Sequence, residues 1–428
     1  MAELLTAQRG TADILPPAVQ TWQTIEDRAR AWFRRYDVDE IRTPIFEATE
    51  LFARGLGEQT DVVSKEMYTF EDRGGRSITL RPEGTAGVVR AFLQAKLATP
   101  GAFHRFWYGG PMFRYERPQA GRMRQFHQIG LECLGSDDPR VDAEAIALAV
   151  DLFADLGVQG LEVQLNSLGC PTCRPRFREA LVAYEEAHRS AYCGTCQPRI
   201  DLNPLRVLDC KTPACQVLND GAPSVQDHLC EGCRGHQEQV LACLEAVGIA
   251  VRLVSRLVRG LDYYTRTVFE IVAGSGLGSQ NTVCAGGRYD GLVEECGGPP
   301  TPAFGWAFGL ERLALLLGNR AQEPGLELFI GHLGPAAATR AFALATGVRR
   351  AGDHRVAFAT GDRKLKKLFE MADRAGARFV LVIGEDEVLS GKARLRDRAT
   401  REEREIALEV SDLVEVLRAA SQSVTVLS

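Results

Sequence analysis

Apolar residues recur at helical spacing near the start of the chain and again in its second quarter. Trp22, Ile25, Ala29 and Phe33 fall on one helical face, and Pro16 and Pro17 stand where such a helix can begin. A second helix is predicted over residues 142–156, with Ile146, Val150 and Phe153 on one side and Gly157 as its stop. Between them lie short aromatic-rich runs at 66–70, 77–81, 103–108 and 126–131, which predict strands of an antiparallel sheet broken by turns. Alternation at 161–165 and 267–271 returns to strand after a polar, helical stretch over about 167–248, which is an insertion into the sheet domain. A polar NRAQEPG segment at 319–325 marks a boundary. Beyond it, strands at 328–331, 355–359 and 379–383 alternate with helical runs, the pattern of a small α/β domain.

The expectation is therefore an α+β chain. A sheet domain spans 1–325 with an insertion at about 167–248, and an α/β domain spans 326–428. With 428 residues, 45% hydrophobic and 25% charged, the chain has the balance of a globular protein of two or three domains. No window reaches the roughly 18 apolar residues of a membrane span, and MAELLTAQRG has no basic leader before an apolar core, so a cytoplasmic location is expected. The formal charge of −5 does not exclude nucleic acid, because steering follows local patches. The run GDRKLKKLF is either a solvated helix face or part of an RNA-facing surface.

Twelve cysteines demand a chemistry, and nine lie between Cys170 and Cys243. Six form C-x-x-C pairs: Cys170/Cys173, Cys193/Cys196 and Cys230/Cys233. Without a secretory leader, metal is favoured over a disulfide framework. The first two pairs, nineteen residues apart, come close to zinc-ribbon spacing. The third could join Cys210, Cys215, His228 or His236, and reduced buried thiols are the alternative.

No glycine loop for phosphate is present: there is no G-x-x-x-x-G-K-[ST], and GSGLGS at 274–279 has the wrong spacing. A bound nucleotide would be held by side chains. FRYE at 113–116 closes a strand, RPQAGRMR at 117–124 is a basic turn, and 125–133 returns. Guanidinium groups placed so can grip phosphate oxygens, although an isolated Arg-x-Glu before a turn is more often a surface ion pair. LRPEGT at 80–85 brackets an acid and a hydroxyl suited to an ammonium, or caps the helix that follows. Three more segments complete the set: RGLDYY at 259–264, AGGRYDG at 285–291 and FGWAFGLERL at 304–313. The paired glycines of the second would allow close approach of backbone to a ligand.

In this order, RGTADILPP, TPIFE, TDVVSKEMYTF, LRPEGT, FRYERPQAGRMRQFHQIGLE, RGLDYYTRTVFE, GGRYDGL and WAFGLERL closely resemble the histidyl-tRNA synthetases, a class II aminoacyl-tRNA synthetase family. GARFVLVIGEDE resembles the family's anticodon-binding domain. The resemblance implies an antiparallel sheet flanked by helices, and a homodimer formed through the segment around Pro44. It implies ATP and Mg²⁺ as reactants, with L-histidine joined to tRNA(His) through histidyl-adenylate. Arg114 and Arg259 would hold the α-phosphate from two sides, as the catalytic pair, and Arg312 the terminal phosphates. Glu116 would meet the adenine amino group and Phe126 stack on its ring. Glu83, Thr85 and Gln128 would accept from the histidine ammonium, while Glu132 and Tyr264, with Tyr263 beside them, would read the imidazole. Two rivals remain: a non-catalytic paralogue that regulates ATP phosphoribosyltransferase, and a zinc-stabilised RNA-binding module. The paralogue usually lacks the C-terminal domain and the RGLDYY arginine, both present here.

Overall fold

The computed structural model describes residues 4–425 apart from 58–59, 61, 120, 259–262, 275–276, 278–280 and 319–324. The chain divides into two compact units, Met1–Ala321 and Gln322–Ser428. Among the described residues, the strands of the first unit are β1 (Asp39–Glu40), β2 (Phe46–Ala48), β3 (Tyr68–Glu71), β4 (Ser77–Leu80), β5 (His104–Phe113), β6 (Gln125–Leu134), β7 (Leu161–Ser167), β8 (Val251–Leu253), β9 (Thr265–Ala273), β10 (Thr282–Arg288) and β11 (Ala303–Gly309). Eight of them form one sheet in the order β1-β5-β6-β11-β10-β9-β7-β8. The pairing is antiparallel except at the two edges, where β1 runs parallel to β5 and β8 to β7.

The aromatic runs at 66–70 and 77–81 do not join this sheet. As β3 and β4 they pair with β2 in a separate three-stranded sheet. Periodicity marks a strand but carries no information about its partner, so the sequence could not separate the two sheets.

The helices of this unit are α1 (Ala18–Arg35), α2 (Thr49–Leu56), α3 (Thr85–Gln94), α4 (Pro139–Asp155), α5 (Arg174–Ala187), α6 (Cys196–Leu202), α7 (Pro213–Asp220), α8 (Glu231–Ala246), α9 (Leu292–Glu295) and α10 (Leu310–Leu317). α1 buries Trp22, Ile25, Ala29 and Phe33 as its spacing predicts. α4 begins at Pro139, three residues before the expected start, because Asp138 accepts a hydrogen bond from Arg140 N at 2.9 Å. α1, α4 and α10 cover one face of the large sheet, meeting Leu131, Phe269, Phe304 and Trp306 in a continuous core. A second core, including Phe92, Tyr108, Val268 and Tyr289, lies on the other face. That second face holds the site. α5 to α8 form the insertion between β7 and β8.

In the second unit, β12 (Leu328–His332), β13 (Val356–Phe358), β14 (Phe379–Ile383), β15 (Lys392–Asp397) and β16 (Glu403–Ala407) are ordered β13-β12-β14-β15-β16. The helices are α11 (Pro335–Ala351), α12 (Leu365–Arg374), α13 (Glu385–Ser390) and α14 (Val410–Thr425). The first three strands run parallel; β15 and β16 add an antiparallel hairpin that sequence reading missed, because KARLRD and EREIA are dominated by charge. α12 buries Leu368 and Ala372 and leaves Lys364, Lys366 and Lys367 exposed.

Candidate active site

The long hairpin β5–β6 is the backbone of the site. Side chains alternate along a strand, so Phe126, Gln128, Gly130 and Glu132 share one face of β6, while Ile129, Leu131 and Cys133 enter the core behind it. At about 3.3 Å per residue, Phe126 and Glu132 stand roughly 20 Å apart on this row. Gly130 lies between them because the Tyr108 ring covers it: a Cβ there would sit 2.3 Å from the ring. Gly84 is required by the same ring, at 2.1 Å. Opposite Glu132 on β11 is Gly305, whose Cβ would fall 1.9 Å from Glu132 Oε2. The glycines thus clear a slot in which a carboxylate can stand on the sheet.

Glu132 is buried. Its Oε1 accepts from Thr85 Oγ1 at 2.7 Å and its Oε2 from the Tyr289 hydroxyl. Burial pushes its carboxyl up to about 8, although both hydrogen bonds oppose the shift. Glu83 is also buried, and accepts from Thr85 N at 2.6 Å and Ala86 N at 2.9 Å, so it caps α3. Burial raises its carboxyl too; Arg114 and these N–H groups pull the other way. The predicted helix cap at Thr85 is therefore made by Glu83, and the Thr85 side chain turns to Glu132 instead. Tyr263 and Tyr264 are buried with ring centroids 4.6 Å apart, and Tyr263 lies 5.6 Å from Tyr289. Burial drives the hydroxyls of Tyr108, Tyr263 and Tyr289 well above the usual phenol value, so they remain donors. Gln128 Oε1 is buried without a partner among the described residues, an acceptor open to a ligand.

Beyond Gln128 the row opens into a cleft of about 870 Å³, lined by Arg114, Glu116, Arg122, Phe126, Glu311 and Arg312 among others. Arg114 and Glu116 lie just past the end of β5 rather than closing it, as FRYE had suggested. Arg114 donates Nε to Pro82 O at 2.9 Å and places its guanidinium 5.4 Å from the Phe126 ring centroid. Its approach to Glu116 is long, 3.9 Å; Glu116 pairs instead with Arg122 at 2.9 Å. Arg312 donates Nη1 to Thr282 O at 2.7 Å, and its guanidinium value is lowered by burial and by the nearby charges of Arg122 and Arg114. Three guanidinium groups therefore converge where a polyanion could bind. Arg259 lies outside the described residues.

Sequence reading did not single out Tyr289, Tyr108 or Arg122. Tyr289 sits inside the quoted GGRYDGL, and Arg122 inside the basic turn. The paired glycines of GGRYDGL do not open backbone to a ligand. A Cβ at Gly286 would meet Gly305 O at 2.2 Å, and one at Gly287 would meet Thr267 O at 2.5 Å, so both serve close strand packing. Arg288 is fully buried against Asp142, which also accepts from His236 Nε2 at 2.8 Å. This network ties β10 to α4 and to the insertion helix α8.

The cysteines group differently from the spacing argument. Cys170 and Cys173 meet Cys230 and Cys233, while Cys193 and Cys196 meet Cys210 and Cys215. The two pairs nearest in sequence do not share a site, and neither His228 nor His236 joins one.

Comparison with known proteins agrees with this architecture. The family model described as histidyl-tRNA synthetase matches residues 10–172 and 213–313, and one described as anticodon binding domain matches 330–420. The chain is 50% identical over 402 residues to the histidine–tRNA ligase of Syntrophotalea carbinolica, covering 94% of this chain and 96% of that protein. It is 49% identical over 409 residues to that of Desulforamulus reducens, with 95% and 97% covered. The structure of apo S. aureus histidyl-tRNA synthetase superposes with a TM-score of 0.81 at 37% identity, covering 97% of this chain and all of that one. A Bacillus halodurans protein described as an ATP phosphoribosyltransferase regulatory subunit/histidyl-tRNA synthetase, 20% identical with a TM-score of 0.65, shares the fold. On these matches the chain belongs to the histidyl-tRNA synthetases, a family of class II aminoacyl-tRNA synthetases.

Proposed function

We propose that the first unit activates L-histidine with ATP to the adenylate and passes the histidyl group to tRNA(His), with residues 1–325 as catalytic domain and 326–428 as anticodon-binding domain. The observation that carries this reading is the single row on β6, which runs from a cation-lined cleft to a buried carboxyl. Adenylation needs no general base, because the histidine carboxylate is already the nucleophile. It attacks the α-phosphorus, a P–O bond forms, and pyrophosphate leaves with the electron pair of the broken P–O bond. Fixed guanidinium groups stabilise the charge on the transferring phosphoryl group. Arg114, with Arg259, serves the α-phosphate, Arg312 the terminal phosphates, and Phe126 with Glu116 the adenine. Mg²⁺ enters with ATP as part of the substrate; Glu270 and Glu311 line the cleft and would supply the carboxylate oxygens such an ion prefers.

At the other end of the row, Glu83, Thr85 and Gln128 face the ammonium, and Glu132 with Tyr263 and Tyr264 reads the imidazole, which offers one donor and one acceptor. Buried polar groups that lose their partner make such a site reject ligands without a matching ring. A pure RNA-binding module gives Glu83 and Glu132 no reason to be buried together, and a regulatory paralogue has no need of the anticodon-binding unit.

The chain works as a homodimer in the cytoplasm. Supporting the dimer, Ile45 and Phe46, which follow Pro44, and Phe70 on the small sheet are exposed, apolar groups of the kind that a partner covers. Among the described residues no helix is long and apolar enough to cross a membrane. The insertion is held by zinc, for which the thiols supply a fitting donor set. The test is pyrophosphate exchange with each amino acid in turn, followed by transfer to tRNA(His). Exchange that depends on histidine alone, with charging of that tRNA, is expected. Tight tRNA binding without exchange would overturn the reading.

A further inference from the structure

Eight of the nine cysteines in the insertion region fall into two sets of four, and within each set all four sulfurs lie within 4.8 Å of one another. In the first set, Sγ–Sγ separations are 3.7 Å for Cys170–Cys173, Cys170–Cys230 and Cys173–Cys233. In the second, Cys193 and Cys210 are 3.8 Å apart. A disulfide would bring sulfurs to about 2.05 Å. A tetrahedral zinc with arms of about 2.3 Å sets its sulfurs about 3.8 Å apart. Each set also has a backbone N–H donating to sulfur, from Cys170 N to Cys173 Sγ at 3.2 Å and from Cys193 N to Cys215 Sγ at 3.3 Å. Such donors favour the thiolate and orient it as a metal ligand. Gly169 leaves room for the first set: with φ +72° and a Cβ position 2.7 Å from Cys173 Sγ, it tolerates no side chain.

We propose that the insertion binds two zinc ions through disjoint tetrathiolate sets, and that the two ions have different mechanical duties. This deepens the zinc reading above and is independent of which amino acid the enzyme activates. The first set joins the two ends of the insertion. Cys170 and Cys173 follow β7, and Cys230 and Cys233 begin α8, which returns to the sheet. Cys173 and Cys233 are also part of the large core with Phe177, Leu181 and Tyr264, so this neck has apolar support besides the ion.

The second set lies in the outer part of the insertion, where the buried core is only Tyr192, Cys196, Ile200, Val207 and Cys215. Two of those five are ligands. A segment of this size cannot bury enough apolar surface to hold itself together, and metals or disulfides commonly supply the difference. The stretch from Cys196 to Cys215 carries Arg206, Leu208 and Asp209 before Cys210 and Lys211 after it, all of which line the cleft that faces Arg114 and Arg312. The second ion therefore sets the position of one wall of the nucleotide cleft.

The test uses the purified full-length chain. Elemental analysis against protein concentration should give two zinc ions per chain, and Cys215→Ser and Cys233→Ser should each retain one. Limited proteolysis should then cut Cys215→Ser first within residues 189–221, while Cys233→Ser keeps that segment protected. Should either variant fail to fold, stepwise thiol titration of the wild type with an organomercurial, read by a zinc-sensitive dye, must release two equivalents. One zinc per chain, zinc-free folded protein, or iron in place of zinc would each overturn the proposal. So would equal protease sensitivity of residues 189–221 in both folded variants.

Discussion

Thr85 Oγ1 donates to Glu132 Oε1 across 2.7 Å, joining the first turn of α3 to the C-terminal part of β6. These residues are 47 positions apart, yet the bond makes one unit of the ammonium and imidazole ends of the proposed histidine pocket. It also orients Glu132, which has Tyr289 on its other oxygen.

Glu132→Gln keeps the shape but cannot ionise, so it lacks the carboxylate form that a bound imidazole N–H favours over the protonated form of the empty pocket. Hydrogen bonds to charged groups contribute about 1.5–3 kcal/mol, so the KM for histidine in pyrophosphate exchange should rise roughly ten- to a hundredfold. The KM for ATP, bound at the far end of the row, should change less than about threefold. Equal losses for both substrates would remove Glu132 from the pocket.

Glu132 also makes ligand-free stability depend on pH. Its carboxyl stands at about 8 against 4.5 in the unfolded chain. The unfolded chain releases the proton first, so stability is fully present below pH 4.5 and is lost as pH rises toward 8. The slope approaches about 1.4 kcal/mol per pH unit for one proton. Urea unfolding of wild type and Glu132→Gln at several pH values should show the variant gaining on the wild type across this window. A constant difference would mean that this carboxyl does not titrate there.

Gly305→Ala should disable the pocket without replacing any charged residue. Its Cβ would lie 1.9 Å from Glu132 Oε2 and 2.6 Å from Leu131 O, and a strand backbone cannot retreat. Overpacking of this kind costs about 1–3 kcal/mol, and displacing Glu132 should lower histidine-dependent exchange by about a hundredfold. Gly291→Ala is the control, since the nearest atom to its Cβ is 3.8 Å away. Similar behaviour of the two variants would show that Gly305 does not shape the slot.

Arg288→Met leaves Asp142 buried with, among the described residues, the His236 imidazole as its remaining side-chain partner. Removing one partner of a buried pair costs about 3–5 kcal/mol, whereas replacing both with apolar residues is often nearly neutral. Denaturant titration should show Arg288→Met/Asp142→Leu recovering a substantial part of the loss. A single-variant loss below about 1 kcal/mol would show that the pair is not a buried ion pair of this class.

What the chain could tell unaided was local. Apolar spacing located α1 and α4, alternation located β7 and β9, and the ordered motifs pointed to the family. Residue chemistry likewise gave the thiols to metal and the basic turn after β5 to phosphate as expectations, and both stand here as proposals. Partnership was not legible. Nothing in GGRYDGL says that the Tyr289 hydroxyl reaches Glu132, 157 positions away, or that Gly305 exists to clear that carboxylate. The cysteines show the reason most plainly. Cys170 and Cys173 lie nearer in sequence to Cys193 and Cys196, but doubling a loop costs only about 0.6 kcal/mol of closure entropy. So small a penalty lets the path of the chain choose the partners: α8 packs on α4 and against β8 and β9, and that packing brings Cys230 and Cys233, at its start, to the first pair.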